Sequence, residues 1–109
     1  MRDDFTAATK ETLAKRVGFR CSSPHCERLT SGPHWVSEKA RNIDVAAHIT
    51  AAAYGGARFN ETLTPEASRE PDNGIWLCQN CAKLVDNDVV RYSVSVLLDW
   101  TALAEDKAL

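Results

Sequence analysis

The sequence has no apolar run approaching the roughly 20 residues that a membrane-spanning helix needs, and its first residues, Met1-Arg2-Asp3-Asp4-Phe5-Thr6, lack the apolar core of a secretory signal. The chain is therefore expected to work inside the cell. No segment repeats and none is of low complexity, which excludes solenoids and tethers. Charge of one sign is not in excess either. A net charge of −2 does not mark a nucleic-acid binder by itself. Cysteine is absent outside two pairs, Cys21 with Cys26 and Cys78 with Cys81, so no odd thiol is left over.

What is present suits one small domain of 109 residues, 44% of them hydrophobic. A core of that size gains from a staple. The charge is also unevenly placed. Lys10 to Arg58 holds eight basic and four acidic residues, and Phe59 to Leu109 holds four basic and nine acidic, so a positive face in the first half can be cancelled in the sum.

The pattern predicts a helix over 5–17, with Thr6 as cap, Phe5, Leu13 and Val17 near helical spacing, and Gly18 as the stop. Lys10, Lys15 and Arg16 would lie mostly on its solvated side. Cys21 to Pro33, rich in turn formers, reads as a metal knuckle or a loop and not as a strand, and His34 at its edge is assigned no role. Residues 35–41 carry no clear pattern. Ile43 to Thr50 alternates as a strand, with Ile43, Val45, Ala47 and Ile49 on a buried face and Asp44, Ala46, His48 and Thr50 on an open one. Thr64-Pro65 opens a short helix. Asp72-Asn73-Gly74 is a turn before Ile75-Trp76-Leu77, which should pair with the first strand. A helix opens at Cys81 and runs to Asn87. A last helix begins at its cap Ser93, with Val94, Leu97, Leu98 and Leu103 as its stripe. It reaches Leu109 without a stop signal, so the natural chain is expected to continue. Trp76 and Trp100 read as core.

Cys-x4-Cys and Cys-x2-Cys both let two sulfurs reach one ion, and four thiolates in a tetrahedron suit structural zinc. The long interval between the pairs must then form a structured insert. His25, inside the first knuckle, becomes a surface residue or one resting on the ligand shell. Two readings compete with zinc: buried free cysteines, and a redox Cys-x2-Cys, which would want a βαβ setting that the sequence lacks.

Several spacings agree around this frame. His48-Ile49 is followed by Gly55-Gly56, Asn73 stands five residues before Cys78, and Cys81 opens a helix. In this the chain resembles the HNH endonucleases, whose core is a ββα-metal finger, from Cys21 to about Asn87. Ala46-Ala47-His48-Ile49-Thr50-Ala51-Ala52-Ala53, the Gly-Gly, Leu63-Thr64-Pro65-Glu66 and the run Asn73 to Asp88 resemble more narrowly the nuclease domains of bacterial anti-phage (CBASS) effectors, in which HNH is fused to a cyclic-nucleotide-sensing SAVED domain.

The resemblance implies an α+β fold: a 1–20 N-terminal helix, a 21–88 zinc-stapled ββα-metal core and a 93–109 C-terminal helix leading to a sensor domain. It implies a bacterial, cytoplasmic nuclease that hydrolyses phosphodiesters of double-stranded DNA with little sequence preference, since no base-reading array is visible. His48 would be the general base, Asn73 would fix the loop and the histidine ring, and Asp86 would hold catalytic magnesium or manganese. Two positions depart from the family: Ala47 stands where an acidic ligand is common, and Ala82 where histidine is. Asp88 and Asn87 are substitutes, or simply helix-ending polar residues. Arg41, Arg58, Arg69 and Lys83 are candidates for phosphate contact. Cutting both strands with one site per chain favours a homodimer or higher assembly, with the terminal helix as interface or as core. Without the resemblance, His48 reads as a strand histidine, Asn73 as a turn residue and Asp86 as an exposed polar group. The rival function is a non-catalytic zinc module that binds protein or nucleic acid.

Overall fold

The structure, a computed structural model, describes residues 4–51 and 54–109. Ala52 and Ala53 of the motif after His48, and the first three residues of the expected N-terminal helical region, lie outside the described residues. The fold is α+β: helices around two antiparallel sheets of two strands each.

Helix α1 is Ala7–Arg16. Thr6 caps it by accepting from the Thr9 amide, and Lys15 and Arg16 sit in the last turn, where the helix dipole favours cations. Gly18, at φ 64°, takes the left-handed turn that ends it. Lys15 pairs along the helix with Glu11, and Arg16 reaches Glu105 near the end of the chain with two bonds of 2.8 and 2.9 Å.

Strands β1 (Ser31–Pro33) and β2 (Ala40–Asn42) form a hairpin, the first where a knuckle or loop was expected and the second at the end of the stretch that carried no clear pattern. Ser-Gly-Pro and Ala-Arg-Asn contain no strand-favouring residue, so composition concealed it. Strands β3 (Asp44–His48) and β4 (Gly74–Cys78) pair antiparallel from Asp44↔Cys78 to His48↔Gly74, which is the pairing expected. Between them lie α2 (Pro65–Ser68), capped by Thr64, and a 3-10 turn at Pro71–Asn73. Helix α3 (Gln79–Asn87) leaves β4 directly, and α4 (Val94–Ala108) begins on its Ser93 cap.

The β3–β4 hairpin is covered on both faces. Ala47, Ile49, Ile75 and Leu77 pack with Ala82, Val85, Leu97 and Trp100 of α3 and α4. On the other face Trp76 packs with Phe5, Leu13, Ala14 and Val17, with Ala46 beside them. The face expected to be open therefore lies under α1. The stripe of α4 is corrected likewise: Leu97 and Trp100 are buried, whereas Val94, Leu98 and Leu103 are 36%, 46% and 43% exposed.

Gly74 serves this packing. Its φ of −110° suits any residue, but a Cβ there would stand 2.6 Å from Leu13 Cδ1 and 3.2 Å from Phe5 Cζ. Gly74→Ala is expected to cost about 1–3 kcal/mol by overpacking, measured by urea unfolding. A neutral result would mean that α1 does not seat tightly on the sheet.

Candidate metal centre and the hairpin end carrying His48

The two cysteine pairs come from different elements. Cys21 and Cys26 lie in the tight turns after α1, where the Cys21 amide donates to the Arg28 carbonyl and the amides of Cys26 and Glu27 both donate to the Ser23 carbonyl. Glu27, at φ 57°, turns the chain out of the knuckle. Cys78 ends β4, and Cys81 lies in the first turn of α3. The Ser22 amide donates to the Trp76 carbonyl, so the knuckle is sewn to the strand that delivers Cys78.

All four sulfurs lie within 4.8 Å of one another, Cys26 and Cys78 at 3.9 Å, and none is in a disulfide. Sulfurs at the corners of a zinc tetrahedron stand about 3.8 Å apart, given Zn–S bonds of about 2.3 Å. The set therefore fits one zinc ion in geometry and in donor type, with Cys21, Cys26, Cys78 and Cys81 as ligands. Burial pushes the Cys21 thiol up to about 11. Burial and the neighbouring sulfurs raise Cys81 further. For Cys78 burial works the same way, but hydrogen bonds from the Cys81 amide and from the other three sulfurs outweigh it and lower the thiol. A crowd of thiols that resists ionising is what a divalent cation relieves. His25 lies edge-on to Trp100 at 6.3 Å, beside the ligands and not among them.

The second expected metal site does not assemble in the same way. Among the described residues the cysteine quartet is the one group of three or more His, Cys, Asp or Glu close enough to share an ion. Ala47 and Ala82, at the positions where donors were missing, are core residues. Asp86, on the last turns of α3, gives Oδ1 to Arg58 Nη2 at 2.8 Å. Asp88 caps the turn after α3, accepting from the Arg91 amide and pairing with its guanidinium, so of its two expected roles the helix-ending one is seen. A hard cation thus finds no cage built for it, and the magnesium or manganese expectation gains no support.

His48 ends β3 at the register pair with Gly74, half-buried, with its ring stacked on Phe5 at 4.2 Å and 14° between planes. Asn73 clasps the chain just after it. Its Oδ1 accepts from the Thr50 amide, its Nδ2 donates to the carbonyls of Thr50 and Ser68, and its own carbonyl accepts from the Ile49 amide. Asn73 thus holds the chain just after His48, and the ring of His48 rests on Phe5, an aromatic that no motif had pointed to.

Arg58 is the functional-looking residue whose role had been misjudged. Its side chain is 4% exposed, too buried to meet a phosphate. Nε donates to the Ile49 carbonyl at 2.6 Å, and Nη1 to the carbonyls of Val85 and Tyr92. It ties the end of β3 to α3 and to the approach of α4, and it places Asp86 one guanidinium away from the residue after His48. The two side chains still leave opposite faces of the hairpin, His48 toward α1 and Asp86 from the helix on the other side. Arg41 and Lys83 are exposed and Arg69 is half-buried.

No protein-family model matches the chain, and no curated protein matches it. Among the described residues no helix is long and apolar enough to cross a membrane.

Proposed function

We propose that the chain is an HNH-type nuclease domain that hydrolyses phosphodiesters of double-stranded DNA. The observation that carries this reading is the clasp of Asn73 on Ile49 and Thr50, which fixes the strand end bearing His48 on a hairpin whose helix joins it through the four-cysteine cluster. To meet both His48 and Asp86 a phosphate would have to lie across that end of the hairpin rather than over either face. His48 is the group to take a proton from the attacking water, its ring steadied by Phe5. A zinc ion on Cys21, Cys26, Cys78 and Cys81 would hold the frame and take no part in the chemistry. Magnesium or manganese would have to enter with the phosphate, because among the described residues no group of three or more donors gathers around Asp86. The sequence resemblance extends the proposal to a cytoplasmic bacterial effector, joined to a cyclic-nucleotide sensor and cutting as a homodimer or higher assembly.

The ion pair of Asp86 with buried Arg58 favours a second reading, a zinc-stapled module that binds protein or nucleic acid without catalysis. Supercoiled plasmid incubated with magnesium or manganese separates the two. His48→Ala is expected to slow nicking about 10²–10⁴-fold, the usual worth of a general base, while zinc content stays equal. Equal nicking by parent and variant would remove His48 from the mechanism.

A further inference from the structure

The β1–β2 hairpin has no role in the site above, and it carries the most exposed tryptophan. Trp35 is 98% exposed, while Trp76 and Trp100 are 6% and 9% exposed. The tip that presents it is shaped. The Val36 amide donates to His34 Nδ1 at 2.9 Å, and the Lys39 amide donates to the Val36 carbonyl at 2.9 Å, so the residues on either side of Trp35 are pinned. Behind the tip Arg41 lies opposite Gly32, and a Cβ on Gly32 would come 3.3 Å from Arg41 Nη2 and 3.9 Å from Nε. The guanidinium of Arg41 thus lies in the space that a side chain on Gly32 would fill.

The pairing of charges sharpens this. Lys15, Arg16, Arg58, Arg91 and Lys107 all have carboxylate partners. Among the described residues Arg20, Arg28, Lys39, Arg41 and Lys83 have no ion pair with a carboxylate, whereas Lys10 acts on the Asp44 carboxyl, and all of the five but Lys83 belong to the chain that leads into and through this hairpin. Of the residues from Arg28 to Asn42 only Glu38 is acidic. An unburied indole flanked by uncompensated cations matches a base flanked by phosphates.

We propose that this hairpin is the arm by which the chain grips nucleic acid, with the Trp35 indole stacked on a base and Lys39 and Arg41 on the adjoining phosphates. The inference rests on the nuclease reading for its choice of partner, and it is tested apart from cleavage. Zinc-loaded chain carrying His48→Ala is titrated, by anisotropy, against a labelled duplex and the matching single strand. A duplex would take the indole as a wedge at a base step, and a single strand as a stacking platform. Trp35→Ala is expected to weaken binding roughly tenfold in at least one arm without changing the salt slope. Trp35→Phe should restore most of it. Lys39→Ala with Arg41→Ala should lower the slope of log affinity against log salt by about 2. Val90→Ala, 90% exposed between α3 and α4, serves as the control. Unfolding curves should not move for any of the tip variants. Trp35→Ala binding within about twofold of the parent in both arms, an unchanged salt slope in the double variant, or no DNA binding at all would each overturn the proposal. Tryptophan-dependent binding without any cleavage by the His48 parent would instead uphold the arm and remove the nuclease reading.

Discussion

Removing the metal from the cysteine quartet, by a strong chelator or by Cys78→Ser, is expected to take away most of the stability of the chain and lower its melting temperature sharply. Structural zinc binds its ligands with about 10–16 kcal/mol near neutral pH, as much as the whole stability of an ordinary domain, about 5–15 kcal/mol. The quartet also joins segments far apart in the sequence: Cys21 and Cys26 follow α1, while Cys78 and Cys81 belong to β4 and α3. The two states should respond oppositely to pH. Metal-free, Cys21 has its thiol raised in the fold to about 11, above the unfolded value near 8.5. Its contribution is complete below the unfolded value and fades as pH rises through the folded one. Metal-loaded, the ligands must be thiolates, so protons compete with the ion and stability falls with acid. Thermal melts with and without chelator across that range measure both. A melting temperature indifferent to chelator would mean that the core alone holds the fold.

Arg58→Met should be the most costly single change away from the cysteines, about 3–5 kcal/mol, the usual loss when one partner of a buried ionic network is taken away. Three carbonyls, those of Ile49, Val85 and Tyr92, would lose their donor in a site where the Arg58 side chain is 4% exposed. Lysine should not rescue it, because a single ammonium cannot spread a planar fork over partners from β3, from α3 and from the turn before α4. Asp86→Asn should cost far less, its side chain being 52% exposed. Urea unfolding gives all three. If Arg58→Met costs under about 1 kcal/mol, the fork is incidental and Asp86 is not positioned by it.

Legibility in the sequence followed the range of the interactions. The caps Thr6, Thr64 and Ser93 each bond an amide three residues on, and each was visible as a local pattern. The pairing of β3 with β4 followed from alternation and from the turn that ends in Asn73-Gly74. The cysteine quartet was visible because thiols have few other uses in such pairs. What stayed hidden depends on contacts between distant segments. Phe5 was visible as apolar, but nothing local says that it lies on His48. Arg58, two residues after Gly55-Gly56, looked like any surface cation, since its partners are backbone carbonyls with no sequence identity. On α4 the buried face passes through Leu97 and Trp100, and the leucine count alone pulled the stripe toward Leu98 and Leu103, which stay half-exposed. Asp86 is a related case: it was identified by spacing, and its ion pair with Arg58 was not.

The claim on which fold and site both stand is that one ion joins the knuckle after α1 to the β3–β4–α3 unit. X-ray absorption at the zinc edge, on protein purified under reducing conditions, tests it directly. The expected spectrum has four sulfur scatterers at about 2.3 Å and no nitrogen or oxygen in the first shell. A shell of mixed sulfur and nitrogen, or protein that carries no zinc while all four thiols titrate, would contradict it.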